Sequence, residues 1–135
     1  MVTCSILMSN PEDKSAPETI LIVDFGSQYA QLIARRVREA GAFSLLVSPA
    51  TSLETFRGHN LAGVILSGGP GSVADKDSPR CSGDIFSLGV PVLGICYGMQ
   101  LGCSMLGGEV EAANAREYGR SSLNVLKNEG LFRGI

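Results

Sequence analysis

A cysteine flanked by glycines is the residue best placed for covalent chemistry in this chain. It lies in Gly94-Ile95-Cys96-Tyr97-Gly98, between a run typical of a buried strand and a run typical of a helix. This is the layout of a nucleophile elbow, a sharp and strained turn that projects the nucleophile at the edge of a sheet. The pattern predicts that Cys96 is a catalytic nucleophile. The alternative is a packed core cysteine in a glycine-rich turn.

Backbone N–H groups on two segments are predicted to face the same place. The N–H of Tyr97 follows the nucleophile and opens the next helix, so it is directed at the position where an oxyanion would form. Ser67-Gly68-Gly69-Pro70-Gly71-Ser72, called the glycine loop below, follows another buried-strand pattern. We expect it at the same carboxyl edge, where open α/β sheets bind ligands.

The glycine loop offers its N–H groups to either a phosphate or an oxyanion. It has neither the lysine of a Walker motif nor the G-x-G-x-x-G spacing of a dinucleotide site, so phosphate binding is disfavoured. A tight connection with no ligand is the remaining alternative.

Two further polar residues are predicted to have ordinary roles. Asp24 ends the first strand pattern, and we interpret it as a strand-end residue in preference to a ligand. His59, the only histidine, precedes the third strand and therefore belongs toward the opposite edge from Cys96. A solvated loop histidine is the expected role, not the base for the cysteine.

Strand and helix patterns alternate along the chain and define its fold class. Alternation at short intervals predicts an α/β fold with an open, mostly parallel sheet and helices on both faces. Ser27 is the expected N-cap of the first helix, Gly41 its C-terminal glycine, and Gly107-Gly108 the end of the second. The predicted strands are 19–24, 43–47, 61–66 and 90–95, with 109–112 and 121–126 as two further candidates, and the predicted helices are 28–40 and 97–106.

Composition excludes several classes of protein. The 135 residues suit one domain, with 44% hydrophobic residues and a net charge of −2 that gives no electrostatic case for nucleic acid or an anionic membrane. No apolar run approaches the roughly 20 residues that cross a bilayer, and the first ten residues do not resemble a signal peptide. Four cysteines without a CxxC pair and one histidine do not make a zinc site. We expect a cytoplasmic protein with a disordered N-terminal tail at residues 1–18.

Several ordered motifs resemble the class I (triad-type) glutamine amidotransferases, and among them the amidotransferase domains of the guanosine monophosphate (GMP) synthase family. The similarity runs from residue 19 to residue 135 and implies a flavodoxin-like fold, cut short at its C-terminal end. The motifs are Ile22–Tyr29, Leu66–Ser72, Gly94–Gln100 and Arg116–Gly119.

The resemblance implies a specific role for each of four residues. Cys96 matches the nucleophile that attacks the side-chain amide of glutamine and releases ammonia. The N–H groups of Gly69 and Tyr97 match the oxyanion donors, and Gln100 matches a residue near bound glutamine. No metal or cofactor is implied for this half. A synthetase domain, in cis or in trans, would use ATP and Mg²⁺ to convert xanthosine monophosphate to GMP. The resemblance is also compatible with a homo-oligomer of the intact enzyme.

The sequence departs from that family in one respect. The family's His-x-Glu pattern is absent, because no histidine follows His59. We therefore expect the chain to hold only the nucleophile half of the site and to be nearly inactive alone. The alternatives are a non-catalytic module that binds glutamine or a partner, and a nucleotide binder, which the missing acidic and lysine residues disfavour.

Overall fold

Four parallel strands form the centre of the molecule. The structure, a computed structural model, describes residues 16–111 and 122–134. The sheet has the order β2-β1-β3-β4, with β1 at Thr19–Val23, β2 at Phe43–Val47, β3 at Leu61–Leu66 and β4 at Val92–Gly94. The helices are α1, Ala30–Glu39, and α2, Tyr97–Met105, with short 3-10 helices at Leu53–Phe56, Gly83–Ser87 and Gly130–Phe132.

The register of the strands assigns each face of the sheet to different helices. Ile20 lies opposite Ser44 and Gly63, so these residues share one face, and α1 covers it. The Ser44 hydroxyl donates to the carbonyl of Ala34 in α1 at 3.0 Å. The other face carries the larger core, made of Leu21, Val23, Val64 and Leu66 from the sheet and Phe56, Ile85 and Leu101 from the 3-10 helices and α2. The predicted α/β fold with helices on both faces is confirmed.

The strand order places a crevice between β1 and β3. The chain moves from β1 to β2 in one direction across the sheet and from β3 to β4 in the other. Right-handed connections then lie on opposite faces, and the crevice at the carboxyl ends of the two central strands is where such sheets bind ligands. The loops after β1 and β3 therefore flank a site.

Some element ends differ from the sequence prediction for local reasons. Helix α1 begins two residues later than expected, with Tyr29 as its N-cap, so Ser27 is not the cap. The Ser27 Oγ instead accepts the N–H of Tyr29 at 3.1 Å in a turn before the helix. Gly41 follows the helix with φ +92°, as predicted for its C-terminal glycine. β4 begins at Val92, two residues later than predicted, because Pro91 has no N–H to donate to a ladder, and it ends one residue early, at Gly94.

The two additional strand predictions are wrong where they can be compared. Residues 109–111 and 122–126 are not in strands. Leu123 and Leu126 are 73% and 87% exposed, so these segments alternate in polarity but pack on no strand of the described chain. Ala112, Ser121, the motif Arg116–Gly119 and tail residues 1–15 lie outside the described residues.

The remaining tail residues lead into the sheet. The carbonyl of Ala16 accepts a hydrogen bond from the Asn60 side chain at 3.1 Å, and that of Glu18 accepts one from the N–H of Phe43 at 2.9 Å. Across residues 16–111 and 122–134 no helix combines the length and apolar character needed to span a membrane.

Candidate active site

Three segments that are distant in sequence meet at the carboxyl edge of the sheet. They follow β1, β3 and β4, and between them lies a cleft of about 410 Å³. The structure thus brings Cys96 together with the glycine loop, as the sequence predicted. The lining residues are Gly26, Ser27, Gln28, Tyr29, Gly68, Gly69, Pro70 and Cys96.

Cys96 has the backbone of a nucleophile elbow. Its φ is +48° and its ψ −113°, and among the described residues it is the one non-glycine residue with positive φ. Such a conformation costs on the order of 1–3 kcal/mol and persists only where its surroundings enforce it. The residue is the N-cap of α2, and its side chain is exposed. The packed-core interpretation of Cys96 is therefore wrong.

The flanking glycines allow the backbone to pass closely on both sides of the elbow. A Cβ on Gly94 would lie 2.5 Å from the Cα of Met99, and one on Gly98 would lie 2.6 Å from the carbonyl oxygen of Ser67. Both distances are impossible for real Cβ atoms. Packing thus requires both glycines of the G-x-C-x-G pattern, Gly94 where β4 meets α2 and Gly98 where α2 meets the end of β3.

Two N–H groups beside the cysteine are available to a ligand. The N–H of Gly98 is used, because it donates to the carbonyls of Ser67 and Ile95 at 3.0 Å each. In the part of the chain that the structure describes, the N–H groups of Tyr97 and Gly69 have no acceptor. A Cβ built on Gly68 would lie 3.7 Å from that of Cys96, which places this part of the loop beside the Cys96 side chain.

The side chain of Tyr97 fixes the first turn of α2 to two loops. It is 2% exposed, its hydroxyl donates to the carbonyl of Pro79 at 2.6 Å, and its ring meets that of Phe25 edge to face at 5.3 Å. Sequence reasoning used Tyr97 only for its N–H. An aromatic residue directly after the nucleophile was the signal that could have indicated the buried anchor.

Gln100, the remaining predicted site residue, does not line the cleft, whereas Gln28 and Tyr29 of the segment after β1 do. Gln100 is half-buried one turn into α2 and is not among the residues that line the cleft, although its N–H donates to the carbonyl of Cys96 at 3.1 Å. Gln28 and Tyr29 do line it, and the sequence analysis assigned them no role. Their position directly after the turn that follows β1 was the available signal.

Asp24 and His59 behave as ordinary structural residues. One carboxylate oxygen of Asp24 accepts the N–H groups of Gly26 and Ser27 at 2.9 and 3.0 Å, which closes the turn after β1. His59 is exposed and precedes β3, whose six residues separate it from the carboxyl edge by about 20 Å. It cannot contact Cys96. Within residues 16–111 and 122–134 no three potential metal-ligating side chains gather.

The three described cysteines differ in burial, and this predicts an order of reactivity. Cys81 is partly buried, and burial raises the pKa of its thiol above the ordinary 9.0, whereas Cys96 and Cys103 are exposed. A raised pKa leaves less thiolate at any given pH, and the thiolate is the reactive species. We expect Cys81 to be alkylated slowest by iodoacetamide, with a rate that still rises above pH 9. Peptide mass spectrometry measures this, the urea-unfolded chain is the control, and levelling of the Cys81 rate below pH 9 contradicts it.

Comparison with known proteins identifies relatives over most of the chain. The family model for class-I glutamine amidotransferases matches residues 21–135. The glutamine-hydrolysing GMP synthase of Ruminiclostridium cellulolyticum is 53% identical over 118 residues, which are 87% of this chain and 23% of that protein. The corresponding enzyme of Prochlorococcus marinus subsp. pastoris is 56% identical over 113 residues, 83% of this chain and 21% of that protein. The chain thus spans less than a quarter of these relatives.

A solved structure has the same fold. It is that of a putative GMP synthase subunit from Thermoplasma acidophilum, with a TM-score of 0.75 and 30% sequence identity. The match covers 87% of this chain and 59% of that one.

Proposed function

The chain belongs to the class-I glutamine amidotransferase family, and on that premise we propose that it is the nucleophile-bearing part of a glutaminase that supplies ammonia for GMP synthesis. The observation that carries this proposal is the strained, exposed Cys96 at the start of α2, beside the glycine loop. A packing role gives no reason for a non-glycine residue to adopt φ +48°, whereas a nucleophile at an elbow does.

The proposed reaction uses Cys96 and Gly69, which line the cleft, and Tyr97, which follows Cys96 at the start of α2. The Cys96 thiolate attacks the side-chain amide carbon of glutamine, and the negative charge that develops on the amide oxygen is accepted by the N–H groups of Gly69 and Tyr97. The carbon–nitrogen bond then breaks, the nitrogen takes up a proton, and ammonia leaves. Water hydrolyses the remaining γ-glutamyl thioester to glutamate and regenerates the thiol.

Two parts of the proposed site rest on the family resemblance. Gln100 is our candidate for contact with bound glutamine. The proton that the leaving ammonia needs would come from the histidine of a His-x-Glu pattern, which the 135 residues do not contain. Because His59 lies about 20 Å from the cleft edge, we propose that this chain alone is nearly inactive.

The ammonia is proposed to pass to a synthetase domain or subunit that converts xanthosine monophosphate to GMP. We propose that the ATP and Mg²⁺ of that step are bound by the synthetase, because the glycine loop of this chain lacks the lysine of a phosphate-binding Walker motif. Location in the cytoplasm is part of the proposal. It is supported by the free thiols of Cys81, Cys96 and Cys103, which suit a reducing compartment.

A glutamine analogue that carries a chloromethyl ketone tests the assignment of Cys96. We expect it to label Cys96 at least tenfold faster than Cys103, because recognition in the cleft adds to simple exposure. Excess glutamine should protect Cys96 and leave the slow labelling of Cys103 unchanged. Peptide mass spectrometry after timed quenching separates the two sites.

Two matched variants complete this test. Cys96→Ala should abolish the fast, glutamine-protected labelling, and Cys103→Ala, which removes the other exposed thiol, should not affect it. Equal labelling of both cysteines without protection by glutamine would refute the glutaminase assignment. Glutamine binding in a calorimeter without faster labelling of Cys96 would favour the non-catalytic binding module.

A further inference from the structure

A buried serine joins the two loops that flank the cleft. Ser67 directly follows β3 and is completely buried. Its hydroxyl oxygen accepts the N–H of Phe25 at 3.1 Å, and its O–H donates to the carbonyl of Gly68 at 2.8 Å. The hydroxyl thus uses both its donor and an acceptor site, one on each loop.

The second of these hydrogen bonds fixes a peptide plane. The carbonyl of Gly68 and the N–H of Gly69 belong to the same planar trans peptide and point in opposite directions. Since glycines flank this peptide on both sides, little else in the local sequence opposes its rotation. The hydrogen bond from the Ser67 hydroxyl to the Gly68 carbonyl therefore restrains the direction of the Gly69 N–H.

The position of this peptide makes its orientation relevant to chemistry. Gly68 lies beside Cys96, and on the far side a Cβ on Gly69 would meet the carbonyl oxygen of Phe25 at 2.6 Å. The Gly69 N–H has no acceptor among the described residues. A hydrogen bond to the carbonyl also polarises the peptide and makes its N–H a stronger donor.

We propose that Ser67 is a positioning residue whose hydroxyl orients the Gly69 N–H and strengthens it as an oxyanion donor. The inference rests on the proposed function, because it assumes that an oxyanion forms at Cys96. A purely structural role, in which Ser67 only ties the loops together, is the competing explanation. The two differ in the kind of electrophile whose reaction should change.

Comparison of two electrophiles distinguishes a change in the orientation of the Gly69 N–H from a change in the accessibility of the Cys96 thiol. p-Nitrophenyl acetate reacts through a tetrahedral oxyanion, whereas iodoacetamide reacts by displacement at a saturated carbon and forms none. The measured quantity is the ratio of acetylation to alkylation at Cys96, resolved by peptide mass spectrometry on this chain. Exposed Cys103 in the same molecule is the internal reference, because it does not line the cleft that Cys96 shares with the glycine loop.

Ser67→Ala should lower the ratio at Cys96 by about tenfold to a hundredfold, somewhat less than loss of a complete oxyanion donor. The rate with iodoacetamide should change less than twofold. Ser44→Ala is the matched control, since Ser44 is also buried and donates to a backbone carbonyl, but beneath α1 and away from the cleft. It should lower thermal stability and leave the ratio unchanged. Ser67→Thr, which retains the hydroxyl, should restore most of the ratio.

The outcomes distinguish failure of this inference from failure of the proposed function. If the ratio at Cys96 in the unmodified chain is no higher than at Cys103, the oxyanion site itself is refuted. If that ratio is high and folded Ser67→Ala retains it, only the role of Ser67 is overturned. Should Ser67→Ala not fold, Ser67→Cys keeps the volume with a weaker donor. It should reduce the ratio partially, and an unchanged ratio would overturn the inference.

Discussion

Glutamate release from glutamine is expected to rise by about 10²–10⁴-fold when a histidine base is supplied to Cys96, the usual contribution of general acid–base catalysis. Cys96 and Gly69 line one cleft, and Tyr97 follows Cys96 directly in the chain. The single histidine of the 135 residues lies at the other end of β3. In the proposed reaction, Cys96 of this chain would have no partner to remove its proton or to protonate the leaving ammonia.

A chimera tests this expectation directly. This chain is joined to the roughly 60 residues that follow the matched region in the Ruminiclostridium cellulolyticum relative, a length that brings the total to a typical domain size. Glutamate is measured enzymatically for the chimera and for this chain. Cys96→Ala in the chimera should abolish turnover, and alanine at the grafted histidine should return it to the rate of this chain. Turnover by this chain at the rate of the chimera would contradict the proposed division of the site.

Gly98→Ala is expected to destabilise the fold by at least about 3 kcal/mol, at the upper end for overpacked sites. The added methyl would meet the backbone of Leu66 and Ser67, and Gly98 also donates its N–H to the carbonyl of Ser67. Neither partner is a movable side chain. Relief requires α2 to shift away from β3, which would take Leu101 out of the core.

A second glycine of the same helix provides the control. A Cβ on Gly102 would lie in ordinary contact, 3.5 Å from the ring of Phe86. Gly102→Ala should therefore be neutral or should stabilise the chain by up to about 1 kcal/mol through helix propensity. Urea unfolding followed by circular dichroism suits a chain without tryptophan. A loss below about 1 kcal/mol for Gly98→Ala, no more than an average point mutation costs, would refute the close packing of α2 on β3.

Local patterns predicted the parts of the fold that depend on neighbours in sequence. β2 and β3 have the predicted bounds because each is a short, mostly apolar run, interrupted in β2 only by Ser44. The elbow around Cys96 could be predicted because the two glycines that it requires each lie only two residues from the cysteine. The predicted start of α1 was wrong because Asp24 and Ser27 close a separate turn before the helix. Such turns and helix N-caps favour the same residue types.

Contacts between distant segments could not be predicted in the same way. The hydrogen bond from Phe25 to Ser67 joins residues 42 apart, and the one from Tyr97 to Pro79 joins residues 18 apart. Nothing in either segment alone specifies its partner. Segments 109–111 and 122–126 show the converse error, since alternating polarity suggests a strand but does not provide a neighbour to pair with.

The backbone at Cys96 implies a conflict between stability and reactivity at one position. Because φ +48° is strained for a residue with a side chain, glycine at position 96 would relieve about 1–3 kcal/mol, and glycine is acceptable at a helix N-cap. Selection for a more stable protein would therefore favour losing the thiol. A lineage that keeps cysteine there must gain more from what the thiol does than it loses in folding, so the choice of residue at this position records whether the chemistry is under selection.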